Sequence, residues 1–157
     1  MTDGPKVGDK APAFDLPTDD GQVSMAGLKG KTVVLYFYPK DDTTGCTNEA
    51  KAFTASAADF AKAGAVVVGV SKDTPAKHGK FKAKYGLKVV LGSDESGEMI
   101  ERYGVWVEKT LYGRNYMGIE RATFLIDGAG VIRRVWRKVK VAGHAEDVLA
   151  GARSLSA

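Results

Sequence analysis

Two unbroken runs of β-branched and aromatic residues, Thr32–Tyr38 and Ala65–Val70, bracket a stretch with a different rhythm. A short continuous apolar run of this kind suits a strand buried on both faces. Between the runs, Cys46, Ala50, Phe53, Ala57 and Phe60 recur at spacings of four and three, which is one face of a helix. The spacing predicts a helix over 44–63, with Gly64 closing it. Pro39 stops the first strand, because proline has no N–H for the ladder. Strand, helix and strand in this order make a parallel βαβ unit, whose sheet needs cover on both sides.

The remaining segments extend the pattern. Thr74-Pro75 opens a helix with proline at its first position, and Gly86 ends it. Lys88–Leu91 reads as a short strand and Asp94–Tyr103 as a short helix. Ala122–Ile126 and Val131–Arg137 flank Asp127-Gly128-Ala129-Gly130, a hairpin signal. After Gly143 a last helix runs from His144 to about Ser154. Upstream, Pro5–Pro17 with Thr18-Asp19-Asp20-Gly21 reads as an extended arm ending in a turn. A βαβ half followed by a ββα half is the thioredoxin-like order. Residues 88–119 are then an insertion between the halves. Its Gly104, Gly113 and Gly118, with Trp106, Tyr112 and Tyr116, suggest an irregular excursion whose aromatic rings pack in the core. With 157 residues and no repeat or long linker, one α/β domain over 1–157 is expected.

Composition removes several classes. One cysteine permits no intrachain disulfide, which fits a reducing, cytoplasmic setting. It also excludes a CxxC oxidoreductase and a four-cysteine zinc module. Two distant histidines, His78 and His144, add no metal cluster. The net charge of +4 is mild. The dense basic stretch Arg133, Arg134, Arg137, Lys138, Lys140 is interleaved with Val135, Trp136 and Val139. It reads as a strand with one solvated face rather than a nucleic-acid surface. Nothing approaches the roughly 20 apolar residues of a membrane helix. Met1–Lys10 is polar, unlike a signal peptide.

Chemistry then centres on Cys46. Active sites of open α/β sheets lie beyond the carboxyl ends of strands, where Tyr38–Cys46 falls. Thr43 or Thr44 as N-cap puts Cys46 in the first helical turn. Free N–H groups and the dipole favour an anion there, and thiolate is the reactive form of cysteine. Gly45 lets another molecule approach the backbone closely. Sharing a stripe with Ala50 and Phe53, the sulfur should be recessed behind a narrow opening. On spacing alone, an inert buried cysteine is the commoner reading, and the position after the strand–loop–helix turn brings the reactive one level with it. A Cys–His hydrolase does not: His78 reads as part of a lysine-rich polar helix face and His144 as a solvated helix start. A cysteine phosphatase would want arginine six residues after its cysteine, where Ala52 stands.

Pro39, Thr43 and Cys46 resemble the PxxxTxxC signature of the peroxiredoxins. Phe37–Thr47, with Tyr103-Gly104-Val105-Trp106-Val107-Glu108-Lys109, Tyr112-Gly113 and Arg121-Ala122-Thr123-Phe124-Leu125-Ile126-Asp127, resembles the bacterioferritin comigratory protein (PrxQ) subfamily. Gly8-Asp9-Lys10-Ala11-Pro12 with Phe14 is similar too. The likeness runs from about Val7 into the final helix. It implies a thioredoxin-like fold with a peroxiredoxin N-terminal extension. It also implies a thiol-dependent peroxidase for hydrogen peroxide and organic hydroperoxides, with no bound cofactor. Cys46 would be the attacking sulfur. Thr43 would hydrogen-bond peroxide and sulfur, and Pro39 would shield them from water. Arg121 would stabilise thiolate and orient peroxide oxygens. Glu49 would hold Arg121, and with Gly45 it completes the substrate-binding side. Attack leaves a sulfenic acid on Cys46.

The chain departs from that subfamily in one respect. Many members carry a resolving cysteine five residues after the first, where Lys51 stands, or in the next helix, where 75–85 has none. The sulfenic acid then needs an external thiol: thioredoxin, glutathione with glutaredoxin, or another small thiol, with a Cys46–Cys46 link between two chains as a further route. The resemblance implies a monomer, and the charge and hydropathy above imply no nucleic-acid or membrane partner. A redox sensor or holdase using the same cysteine is the alternative that the sequence leaves open.

Overall fold

The apolar run that starts at Thr32 forms the middle strand of a five-stranded sheet, buried from Val33 onward. The computed structural model describes residues 4–156, so the expectations for Met1–Asp3 and for the chain end at Ala157 lie outside it. A hairpin of β1 (Asp15–Thr18) and β2 (Gly21–Ser24) leads through one 3-10 turn at Ala26–Leu28 into β3 (Thr32–Phe37). Next come α1 (Thr44–Ala55), α2 (Ala57–Lys62), β4 (Ala65–Ser71), α3 (Pro75–Tyr85), β5 (Val90–Ser93) and α4 (Glu98–Arg102). A second hairpin, β6 (Trp106–Leu111) and β7 (Arg114–Ile119), precedes β8 (Ala122–Ile126), β9 (Ile132–Trp136) and α5 (His144–Ser156).

The sheet order is β5-β4-β3-β8-β9. β4 runs parallel to β3 and to β5, while β8 and β9 are antiparallel to their neighbours. This is the thioredoxin-like arrangement of a βαβ half and a ββα half. Side chains of β3 alternate between two apolar layers. Val34, Tyr36 and Tyr38 meet Phe53, Phe60 and Phe81, with Val148 and Leu149 of α5. Val33, Leu35 and Phe37 meet Phe14, Leu16, Ile100 and Tyr103. The N-terminal extension is fastened to the β8–β9 end of the sheet: Gly8 N donates to Ile132 O (2.8 Å) and Ala11 N to Gly130 O (2.9 Å).

Several expectations need correction. The helix foreseen over 44–63 is two helices, broken at Ser56, whose N–H turns back to the Phe53 carbonyl at 3.2 Å. The extended arm ends in a paired hairpin, not a bare turn. The excursion within 88–119 is not irregular. Tyr112 (φ 52°) and Gly113 (φ 76°) both take positive φ, the two-residue turn that joins right-twisted strands. Two of its three aromatic residues do not pack in the core as expected: Tyr112 is 96% exposed and Tyr116 47%, while half-buried Trp106 does pack against the layer of Val33, Leu35 and Phe37. The two histidines read as solvated are buried. His78 hydrogen-bonds Asp41, and His144 Nε2 lies 2.8 Å from Thr123 Oγ1. Burial pushes His144 down to about 4, so it is neutral near pH 7.

Among the described residues, no helix is long and apolar enough to cross a membrane. Gly69 of β4 pairs with Tyr36 of β3 and leaves room for its ring; a Cβ there would meet Tyr36 Cζ at 2.6 Å. Gly69→Ala is expected to destabilise the fold by about 2–3 kcal/mol through overpacking, read as a lower urea midpoint.

Candidate active site

The site exists because of a strand register. Phe37, the last residue of β3, pairs with Ala122, the first of β8. Arg121 therefore enters the sheet beside the point where the chain leaves β3 for Tyr38, half-buried Pro39 and the Lys40–Thr43 loop. α1 starts directly after that loop and puts Cys46 in its first turn. Two segments far apart in sequence so converge on one sulfur.

Cys46 is 1% exposed, recessed as its apolar stripe foretells. Arg121 Nη2 donates to its Sγ at 3.4 Å, the sulfur's only hydrogen bond among the described residues. Arg121 Nη1 donates to Glu49 Oε1 at 2.7 Å. Glu49 lies one helical turn after Cys46 and is equally buried. A Cβ on Gly45 would stand 3.0 Å from Arg121 Nη2, so the missing side chain is what admits the guanidinium. The structure thus brings Cys46, Arg121, Glu49 and Gly45 together.

Thr43 differs in detail from its expected role. Its backbone is the N-cap: it is extended, and its carbonyl accepts from Thr47 N at 2.8 Å. Its hydroxyl makes no capping bond and instead donates to Lys40 O at 2.8 Å. With its one proton engaged, that oxygen is left as an acceptor, suited to a peroxide O–H and not to a thiolate.

Burial pushes the Glu49 carboxyl up to about 7, against the pull of Arg121. Arg121 is also partly desolvated, which lowers its value. The charges of Glu49 and Cys46 outweigh that loss and hold the guanidinium above its ordinary range. Glu49 Oε2 has no hydrogen-bond partner among the described residues, the natural place for a proton. Nearby Tyr36 is held well above its usual range by burial first, then by the charges of Glu49, Cys46 and Asp41.

A clamp that the sequence reading did not find fixes the loop ahead of Cys46. Tyr38 donates to Asp41 Oδ1 (2.5 Å), His78 Nδ1 lies 2.6 Å from Asp41 Oδ2, and Asp41 N donates to Asp73 Oδ2 (2.9 Å). His78 Nε2 faces the Gly92 carbonyl at 3.2 Å. Asp42, at φ 62°, accepts from Lys84 and Tyr85 of α3. The signal available was the spacing of His78 to Phe81, three residues apart on the inner face of α3, which the surrounding lysines obscured. Neither histidine contacts the sulfur.

The model of the AhpC/TSA family matches residues 7–135. The chain belongs to the AhpC/TSA family. It is 54% identical over 145 residues to a protein of Coxiella burnetii named putative peroxiredoxin bcp, covering 92% of this chain and 96% of the relative. Peroxiredoxin Bcp of Bacillus subtilis is 47% identical over 152 residues, covering 96% and 97%. A solved structure of the Xanthomonas campestris bacterioferritin comigratory protein, concerned with its alkyl peroxide reduction activity, superposes with TM-score 0.86. It is 41% identical and covers 92% of each chain. This AhpC/TSA protein is a peroxiredoxin, a thiol-dependent peroxidase that takes a peroxide as substrate and draws electrons from a thiol reductant.

Two outcomes follow for this peroxiredoxin. Gly45→Ala displaces only the end of a flexible side chain, so the urea midpoint should hardly move. Peroxide reactivity should nonetheless fall roughly 10–100-fold in stopped-flow measurements, as the guanidinium is pushed off the sulfur. Glu49 governs a pH effect. Between its ordinary 4.5 and about 7, the folded chain keeps the Glu49 proton that the unfolded chain has released. Unfolding then releases a proton, so stability falls as pH rises through this window, by on the order of 3 kcal/mol. Glu49→Gln should lack that slope when urea midpoints are compared from pH 4.5 to 7.

Proposed function

We propose that this peroxidase acts as one thioredoxin-like domain over 1–157, reducing hydrogen peroxide and organic hydroperoxides through a sulfenic acid on Cys46. The observation that carries the reading is Arg121 Nη2, 3.4 Å from the sulfur and held by Glu49. A fixed cation donor beside sulfur stabilises negative charge there.

In the proposed step the Cys46 thiolate attacks one peroxide oxygen and the O–O bond breaks. The leaving alkoxide or hydroxide gains stabilisation from Arg121 and takes up a proton to become alcohol or water. Thr43 accepts from the peroxide O–H, because its own proton goes to Lys40. To half-buried Pro39 we assign the shielding of the sulfur from water. Gly45 gives the guanidinium its place, and Glu49 orients it.

The sulfenic acid has no partner cysteine in this chain, since Cys46 is its only one. An external thiol forms a mixed disulfide with Cys46, and a second thiol releases it. We assign that role to thioredoxin or to glutathione with glutaredoxin, with the protein acting as a monomer in the cytoplasm. Without a resolving cysteine, excess peroxide carries Cys46 on to the sulfinic acid.

One equivalent of peroxide should add one oxygen to the intact mass, and glutathione should then convert the product to a mixed disulfide. A loss of two hydrogens without oxygen gain contradicts the scheme. Sustained peroxide consumption with a thioredoxin or glutaredoxin system, abolished in Cys46→Ser, is expected; a sensor or holdase would oxidise once and stop.

A further inference from the structure

His78 is fully buried on α3, and the chemistry above gives it no part. Its ring lies between two acceptors. Nε2 faces the Gly92 carbonyl of β5 at 3.2 Å, and Nδ1 lies 2.6 Å from Asp41 Oδ2. A carbonyl can only accept, so Nε2 carries a hydrogen. The ring is thus fixed to β5 on one side and holds the loop with the other. Asp41 has further anchors. Tyr38 donates to its Oδ1, and its own N–H donates to Asp73 Oδ2, which also accepts from the Ser71 hydroxyl at 2.7 Å. Burial first, then the charges of Tyr36 and Asp41, hold Tyr38 well above its usual range, so its hydroxyl remains a donor.

Both chain neighbours of Asp41 are exposed. Asp42 is tied to Lys84 in a solvent-facing pair, which holds little by itself. Lys40 presents the carbonyl that takes the Thr43 hydroxyl proton at 2.8 Å. The buried anchor of this loop is therefore Asp41, and the Lys40 carbonyl moves with it. A Thr43 hydroxyl whose proton goes to Lys40 turns its lone pairs elsewhere. Once that carbonyl shifts, the hydroxyl is free to swing its proton round, and the acceptor is lost.

We propose that His78 is a positioning residue for peroxide attack: through Asp41 it sets the Lys40 carbonyl, and so keeps the Thr43 oxygen an acceptor for the peroxide O–H. The inference rests on the roles given to Cys46 and Thr43 under the proposed function. His78 takes no part in the bonds that change. Its reach is the loop alone, because the contacts of Arg121 with Cys46 and Glu49 use none of these groups.

Hydrogen peroxide needs that acceptor, whereas alkylation of Cys46 by iodoacetamide needs only the thiolate. The test is the ratio of the two second-order rate constants, measured on the full-length chain, so differences in folded or ionised fraction cancel. Asparagine places an amide N–H where Nδ1 stands, and glutamine places one where Nε2 stands. His78→Gln gives up the bond to Asp41 and should lower the ratio about tenfold, while His78→Asn should recover most of that loss. Thr43→Val should lower the ratio as well, and adding His78→Gln to it should lower it no further. An unchanged ratio in His78→Gln, equal losses in the two His78 variants, or losses that multiply in the double variant overturn the proposal. No loss in Thr43→Val would instead overturn the role of Thr43 on which it stands.

Discussion

One guanidinium joins parts of the chain 75 residues apart. Arg121 touches the Cys46 sulfur with one nitrogen and the Glu49 carboxylate with another. The arrangement depends on the antiparallel pairing of β3 with β8, which lines up Phe37 and Ala122. Slipping that register by one residue would exchange the faces of β8 and carry Arg121 away from the sulfur. The central sheet therefore does more than supply a core. It sets the spacing between a reactive atom on α1 and the charge that serves it. The two apolar layers hold that register, since every residue of β8 is buried.

The electrostatics around this contact are balanced closely. A buried carboxylate beside a half-buried guanidinium is weak as a stabilising device, because desolvation offsets the attraction. Here desolvation wins on the Glu49 side, whose carboxyl rises to about 7, while attraction wins on the Arg121 side. The pair thus serves orientation more than stability. A guanidinium held by one fork keeps the other fork aimed at sulfur.

Much of the fold was legible in the sequence, for reasons that particular residues make plain. The unbroken runs at 32–38 and 65–70 had no other reading than buried strands, and Pro75 with Gly86 marked both ends of α3. The hairpin β6–β7 was missed because its turn uses a tyrosine at positive φ, where glycine or asparagine is the usual signal. The break at Ser56 was missed because the apolar stripe continues across it. Within the site, Cys46 and its recess followed from helical spacing. Arg121 and Glu49 came from family resemblance, since no local rule brings a strand-edge arginine to a helix 75 positions earlier. His78 was misread because four lysines at 77, 80, 82 and 84 suggested a wet helix, whereas one polar ring on the inner side binds the loop.

The depth of the sulfur bears on the enzyme's kinetics. At 1% exposure, Cys46 is almost closed off from solvent, and the chain has no second cysteine to carry the oxidising equivalents elsewhere. Oxidant and reductant must take turns at the same threshold. In the proposed cycle each excludes the other while it is inside, which makes that cycle ping-pong by construction.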